Sequence, residues 1–203
     1  MSAYPLTLEG TAISALVVGG GGVATRRVLG LLRAGAHVRV VSLTTTPEID
    51  AAAARSDQIT VRHGSYSASD IGTATLIIAA TSDATLNAEV ARDGRARGRL
   101  VNVVDVPDLG NCVTPAVLRS GELVVAVNAG GVPMASKRIR DEIGKRFDAR
   151  YAAAIDALSS LRRRLIDSGE RARWREASAE LIGDDFWDQA EKGRLAKRVA
   201  EWR

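Results

Sequence analysis

The chain has 203 residues, 46% apolar and 26% charged, with 28 Lys and Arg against 24 Asp and Glu for a formal charge of +4. That length allows one domain of ordinary size plus a smaller appendage, and the composition excludes wholesale disorder. A single cysteine, Cys112, with His37 and His63 as the only histidines, excludes an internal disulfide framework and a cysteine-based structural zinc, so no metal site is expected.

The modest positive excess suits a small polyanionic partner, whereas nucleic-acid binding would need basic residues clustered with aromatics, and aromatics are only 4%. No uncharged apolar run approaches the roughly 20 residues that span a bilayer. The opening segment MSAYPLTLEG lacks a basic stretch followed by an apolar core. The expectation is a cytoplasmic protein with no membrane segment.

In chain order, Ala12 to Val18 (AISALVV) reads as a buried strand, followed by a glycine run and a helix from about Val23 to Ala34. Gly35 stops that helix, and His37 to Leu43 is a second strand. A helix around Pro47 to Arg55 leads to a strand at Gln58 to Arg62. Thr75 to Ala80 is the next strand, then a helix over Thr85 to Arg97, then Leu100 to Val104. Strands alternating with helices of this length imply right-handed crossovers and a parallel sheet covered on both faces, an α/β domain of Rossmann type.

The pattern changes after Asp105. Pro107, Gly110 and Pro115 punctuate a loop, and Val113 to Leu118 and Glu122 to Asn128 flank Arg119-Ser120-Gly121, which predicts an antiparallel hairpin. From Pro133 onward the pattern is helical, interrupted near Gly169 and Gly183. The expected organisation is a dinucleotide-binding domain over 1–112, a dimerisation segment of hairpin plus helix over 113–147, and a C-terminal helical domain over 148–203.

Gly19-x-Gly21-x-x-Ala24 stands directly after a strand and at the start of a helix. Gly19 permits a tight turn, Gly21 lets the backbone approach a pyrophosphate, and small Ala24 lets helix and sheet pack closely. The free N–H groups of the first turn, Gly22 and Val23 among them, and the positive end of the helix dipole face the phosphates. The context of strand, turn and helix makes this motif a dinucleotide site. The acidic residue that commonly ends the second strand is missing, since the position falls at Ser42 to Thr44. Hydroxyls such as that of Ser42 can still donate to ribose, and the choice between NAD and NADP stays open. Arg39 reads as a solvated strand residue rather than a phosphate anchor.

Ligands of open parallel sheets bind at the carboxyl ends of the strands. Thr81-Ser82-Asp83 and Asp105 stand at two such ends. Asp105 reads either as a proton acceptor beside a nicotinamide or as a loop-capping residue before Pro107. Asp83 reads as the cap of the following helix. Asn87 and Asn102 either bond the nicotinamide ribose or carboxamide, or satisfy backbone groups.

Three separated stretches carry a family resemblance. VVGGGGVATRRVLGLLRAGAHVRVVS, IIAATSDATLNAEV and VNVVDVPDLGNCVTPAVLRSGELVVAVNAGGVPMASKRIRDEI together resemble the precorrin-2 dehydrogenase / sirohydrochlorin ferrochelatase family of sirohaem synthesis, over most of residues 8 to 147. The resemblance implies a homodimer that passes hydride from precorrin-2 to NAD, with Asp105 in the catalytic position and Gly19, Gly21, Gly22, Val23, Ala24, Ser42, Thr81 and Asn102 on the cofactor. It implies a tetrapyrrole substrate whose eight carboxylates meet basic positions such as Arg119, Lys137, Arg138 and Arg140, with Asn128 nearby; bidentate arginine pairing suits such groups. The chain departs from the family pattern at Val106, at Gly110 to Thr114 and at Asn128, where the family carries a serine. These departures fall on the tetrapyrrole side. The alternative readings are ferrochelatase activity, alone or in addition, and a non-catalytic regulator that kept the glycine loop. In the regulator, the run Leu161-Arg162-Arg163-Arg164 would contact a partner; otherwise it is a solvated helix face.

Overall fold

The computed structural model describes residues 3–202, which form two compact units divided between Thr114 and Pro115. In the first unit, strands β1 (Ser14–Val18), β2 (His37–Ser42), β3 (Ile59–His63), β4 (Leu76–Ala79) and β5 (Leu100–Val103) make one parallel sheet in the order β3-β2-β1-β4-β5. Helices α1 (Gly22–Arg33), α2 (Pro47–Ala53) and α3 (Ala84–Ala96) are the crossovers. The strand order reverses between β1 and β4, which opens a crevice at their carboxyl ends.

The central strands β1 and β4 are buried on both faces, so they read as continuous apolar runs, whereas the edge strand β3 is largely exposed. Leu16 and Val18 of β1 face a cluster with Ile77, Val90, Ala91, Val101 and Val103 on the α3 side. Ala15 and Val17 face Ala24, Val28, Val38, Val40 and Ile78 on the α1 side, and Leu31, Leu32 and Val104 pack against them. Asp70, only 8% exposed, accepts from Arg62 Nε at 2.9 Å, Arg62 Nη2 at 2.5 Å and the Ser67 N–H at 2.8 Å, which ties β3 to the turn that follows. Beyond β5, Asn111 and Cys112 both donate their N–H groups to Val101 O, and the Val101 N–H donates to Asn111 Oδ1 at 2.7 Å. The edge strand is thereby covered rather than left open.

In the second unit, β6 (Ala116–Ser120) and β7 (Leu123–Val127) form an antiparallel hairpin. It packs against α4 (Pro133–Arg146) and α5 (Ala149–Asp167). Three more helices follow: α6 (Arg171–Leu181), α7 (Phe186–Glu191) and α8 (Leu195–Glu201). The buried positions of α5, at Tyr151, Ala154, Leu158, Leu161 and Leu165, recur three and four apart and form the stripe that a packed helix requires. Ala177, Leu181, Ala190, Leu195 and Val199 close over that stripe. Arg162, Arg163 and Arg164 lie on the exposed side of α5.

Two expectations change. The hairpin sits further along than Val113–Leu118, because Pro115 has no N–H to give a ladder and Arg119 and Ser120 belong to β6. The two-residue loop is Gly121-Glu122, with Gly121 at φ +57, the left-handed geometry that such tight loops demand. The segments expected as 113–147 and 148–203 form one compact unit rather than two, since the hairpin needs α4 and α5 to cover its apolar face.

Candidate active site

The glycine run builds one wall of the crevice. Gly19 adopts φ +119, and a Cβ on it would overlap the carbonyl oxygen of Ala80 at the end of β4. Gly20 is equally enclosed, because a Cβ there would overlap the carbonyl oxygen of Thr44. Gly21 and Gly22 differ: added side chains would meet nothing within 4 Å. The turn is therefore packed tightly on its protein side and open on its solvent side.

Helix α1 begins at this open face. Gly21 is its N-cap, no side chain caps it, and its first turn contains no acid. The first N–H groups have no partner within the helix. Those of Gly22, Val23 and Ala24 are thus available to an anion, aided by the helix dipole. Ala24 is fully buried against the sheet, as close helix–strand packing needs. These features fit a dinucleotide pyrophosphate.

Residues that sequence reasoning did not single out hold the turn in place. Thr25 donates its hydroxyl to Gly21 O at 3.1 Å and shares a 2.8 Å hydrogen bond with the Thr46 hydroxyl. The Thr46 N–H donates to Gly20 O at 3.1 Å. The loop after β2 is thus fastened to the glycine turn. A threonine four residues after a helix-starting glycine was the available signal, since its hydroxyl can bond the carbonyl one turn back.

Ser42 ends β2 beside this loop, and its hydroxyl donates to Thr44 O at 2.7 Å. Its one proton is therefore spent, and what it offers a ribose is an acceptor oxygen rather than the expected donor. Thr81 is similarly committed. Its hydroxyl donates to Asn87 Oδ1 at 2.8 Å, its N–H bonds the same oxygen at 3.1 Å, and its carbonyl accepts from Asn87 Nδ2 at 3.0 Å. Thr81 and Asn87 lock the turn after β4, which leaves Thr81 to contribute shape. Asp83 is the cap of α3, accepting from the N–H groups of Thr85 and Leu86 at 2.8 and 3.1 Å.

Asp105 follows β5 at the same end of the sheet. It is the one non-glycine residue with positive φ, +66, among the described residues. Such a conformation is unfavourable for a side-chain-bearing residue, tolerated best by Asn and Asp, and it concentrates at functional positions. Two positions before Val104, Asn102 is 5% exposed; it donates Nδ2 to Cys112 O at 3.1 Å, while its Oδ1 has no partner. A buried acceptor without a donor is an opening for a ligand N–H or O–H. Cys112 is half-buried, and burial pushes its thiol above the ordinary range.

The remaining expected residues lie in the second unit. Asn128 is exposed after β7. Lys137 and Arg138 are exposed on α4 and line an open groove of about 400 Å³ with Met134, Ala135 and Asp141. Arg119 is exposed on β6, and Arg140 pairs with Asp141. Among the described residues, no group of three or more His, Cys, Asp or Glu side chains is placed to hold a metal ion, and no helix is long and apolar enough to cross a membrane.

Comparison with known proteins agrees with this geometry. A family profile described as "Putative NAD(P)-binding" matches residues 6–116. The siroheme synthase of Pseudomonas entomophila (strain L48) is 37% identical over 193 residues, covering 91% of this chain and 38% of that protein. That of Chromobacterium violaceum is 35% identical over 202 residues, covering 98% of this chain and 41% of that protein. The chain thus spans about two-fifths of the length of these curated relatives. A solved structure of SirC, a precorrin-2 dehydrogenase, superposes with a TM-score of 0.79 at 29% identity, covering 98% of this chain and 100% of that one. The chain belongs to the "Putative NAD(P)-binding" family, and it is similar to siroheme synthases and to a precorrin-2 dehydrogenase.

Proposed function

We propose that this protein is an NAD-dependent dehydrogenase that converts precorrin-2 to sirohydrochlorin in sirohaem synthesis. The observation that carries the reading is Asp105, a carboxylate held at φ +66 at the end of β5, at the same carboxyl end of the parallel sheet as the open glycine turn. The reaction removes two hydrogens, one as hydride and one as proton. A bound nicotinamide would take the hydride. Gly21 to Ala24 would hold the pyrophosphate through backbone N–H groups, and Asn102 Oδ1, which has no partner, would accept from a donor of the nicotinamide half. Asp105 takes the proton that leaves as the hydride departs, so that charge does not accumulate on the ring system.

NAD rather than NADP is the proposed acceptor on the strength of the family, since the end of β2 carries hydroxyls and no acid that would discriminate. Lys137 and Arg138 on α4, with Asn128, are proposed to meet the substrate's carboxylates. Homodimerisation through the hairpin is part of the proposal. Val124 is 43% exposed on the outward face of β7, Ala126 is exposed beside it, and both hairpin edges are unpaired among the described residues. Such edges call for a partner, and a self-complementary one gives a twofold dimer.

The test is anaerobic turnover. Purified protein given precorrin-2 and NAD should produce NADH and the sirohydrochlorin spectrum in equal amounts. Retained dinucleotide binding without turnover would refute the reading, and sirohydrochlorin supplied with Fe²⁺ asks separately whether sirohaem is formed.

A further inference from the structure

Arg27 lies on α1, three residues after Ala24 and four before Leu31, both of which pack toward the sheet face that includes Val104. It is half-buried, and among the described residues it makes no hydrogen bond and no ion pair. Its surroundings push its guanidinium downward, first through burial, then through neighbouring Arg26, with Asp105 opposing. The other basic groups with a resolved shift, Lys145, Arg146 and Arg150, are each pushed upward by a bonded partner. Arg27 is a cation partly taken out of water without a counter-ion in contact, an arrangement that disfavours the empty state.

The location of this unmet charge is informative. Side chains on a helix lean back toward its N-terminus, so Arg27 reaches from α1 toward the strand ends. Asp105, whose field it senses, stands at the end of β5 rather than over the glycine turn. The Arg27 backbone lies about 9 Å along the helix from the Gly21 cap, at ~1.5 Å per residue. The pyrophosphate has the backbone groups of that first turn, and the Arg27 guanidinium is near enough to Asp105 to feel its charge without pairing with it. Strand alternation puts Asn102 on the Val104 face, the side covered by α1, so its unpartnered Oδ1 and the unpaired guanidinium belong to one side of the sheet.

We propose that Arg27 is a substrate-binding residue, taking a peripheral carboxylate of the molecule that reacts at Asp105. The proposal rests on the reading of an acidic tetrapyrrole substrate and assigns one of its carboxylates to the first unit. The guanidinium would donate two parallel N–H bonds to the carboxylate, the pairing its planar fork favours over a lysine's point charge. The other source of the same oxyanion chemistry is the dinucleotide's own phosphates, and the experiment separates the two.

The variants are Arg27→Gln and Arg27→Lys. Sirohydrochlorin and its octamethyl ester are titrated by absorbance, NADH by fluorescence, and folding is checked by thermal melting. In Arg27→Gln, sirohydrochlorin binding should weaken roughly 10- to 100-fold, the range for a hydrogen bond to a charged group. Arg27→Lys should recover part of that loss, and NADH affinity should stay within about twofold of wild type. The ester, which carries no carboxylate charge, should bind wild type and Arg27→Gln alike, a discrimination that a merely structural role would not produce. Equal sirohydrochlorin binding by wild type and Arg27→Gln overturns the assignment and leaves the functional reading standing. Loss of NADH binding with sirohydrochlorin binding retained assigns the guanidinium to the phosphates and also overturns it. Wild-type protein that binds no sirohydrochlorin refutes the functional reading itself, and the assignment falls with it.

Discussion

The carbonyl oxygen of Thr44 fills the space that a side chain on Gly20 would need: a Cβ there would overlap that oxygen and come within 2.8 Å of the Ser42 hydroxyl. Gly20 and Thr44 therefore seat the glycine turn against the loop after β2, while the next residue, Gly21, faces open space. Two adjacent glycines have different jobs, one in packing and one in admitting a ligand.

Alanine at each position should separate those jobs. Gly20→Ala must displace the Thr44 backbone, so it should lose about 1–3 kcal/mol of stability, as overpacking does. Gly21→Ala keeps an extended φ of −81 that any residue adopts, and should melt within about 0.5 kcal/mol of wild type. Its methyl group would stand where phosphate must approach, so NADH affinity should fall at least ~10-fold. Denaturant unfolding and NADH fluorescence titration give the two readouts. A Gly21→Ala protein with unchanged NADH binding would place the phosphates elsewhere.

Asp105→Asn offers a test of chemistry with little structural perturbation. Asparagine tolerates the left-handed conformation that Asp105 adopts, so the fold should be retained. If the carboxylate is the proton acceptor, kcat should fall by about 10²- to 10⁴-fold while NADH affinity changes less than about twofold. Steady-state kinetics with precorrin-2 and a parallel NADH titration decide it. Near-normal turnover would confine Asp105 to shaping the loop.

The sheet was legible because parallel strands buried on both faces leave apolar runs that cannot be misplaced by more than a residue or two. Val17 and Val40 are wholly buried, and the one polar residue inside their strands, Arg39, is itself partly buried. The hairpin was legible in kind but not in register. Its strands carry apolar residues on both faces, so alternation does not say where β6 begins, and only Pro115 and the φ of Gly121 fix it. Candidate site residues were legible as strand-end positions but not as free groups. Ser42 was expected as a donor and Thr81 as a cofactor contact, yet both hydroxyl protons are used within their own turns. Arg27 was not singled out in the sequence, because its partial burial and its lack of a counter-ion are visible only in the fold.

The second unit carries an acid-sensitive contact at the start of α5. Arg150 holds the Asp148 carboxyl below the usual carboxylate range, through its side-chain hydrogen bond first and its backbone N–H next. A depressed folded value means that the contribution is present above the unfolded value of about 3.9 and is lost as pH falls below it. Asp188, held down by Lys192 and Arg194, acts in the same sense. Thermal melts of the wild type should therefore decline between about pH 5 and pH 3. Asp148→Asn should lower the melting temperature at pH 6 and flatten that decline. A variant whose melts parallel wild type across the range would show that the contact adds nothing.

The outward face of the hairpin supplies the test of assembly. Arg119 and Val124 are cross-strand partners, as are Val117 and Ala126, and within each pair the side chains share the face opposite Leu118 and Val125. Val124, at 43% exposed, makes little contribution to the core of its own unit, so Val124→Glu should leave the fold intact. In a twofold dimer through this face, the substitution would place two carboxylates in one apolar interface, where unpaired charge is costly. Sedimentation should show a wild-type dimer and a Val124→Glu monomer with unchanged far-ultraviolet circular dichroism. If the variant sediments as wild type does, the hairpin's outward face is not the dimer surface, and the exposed valine has no role in assembly.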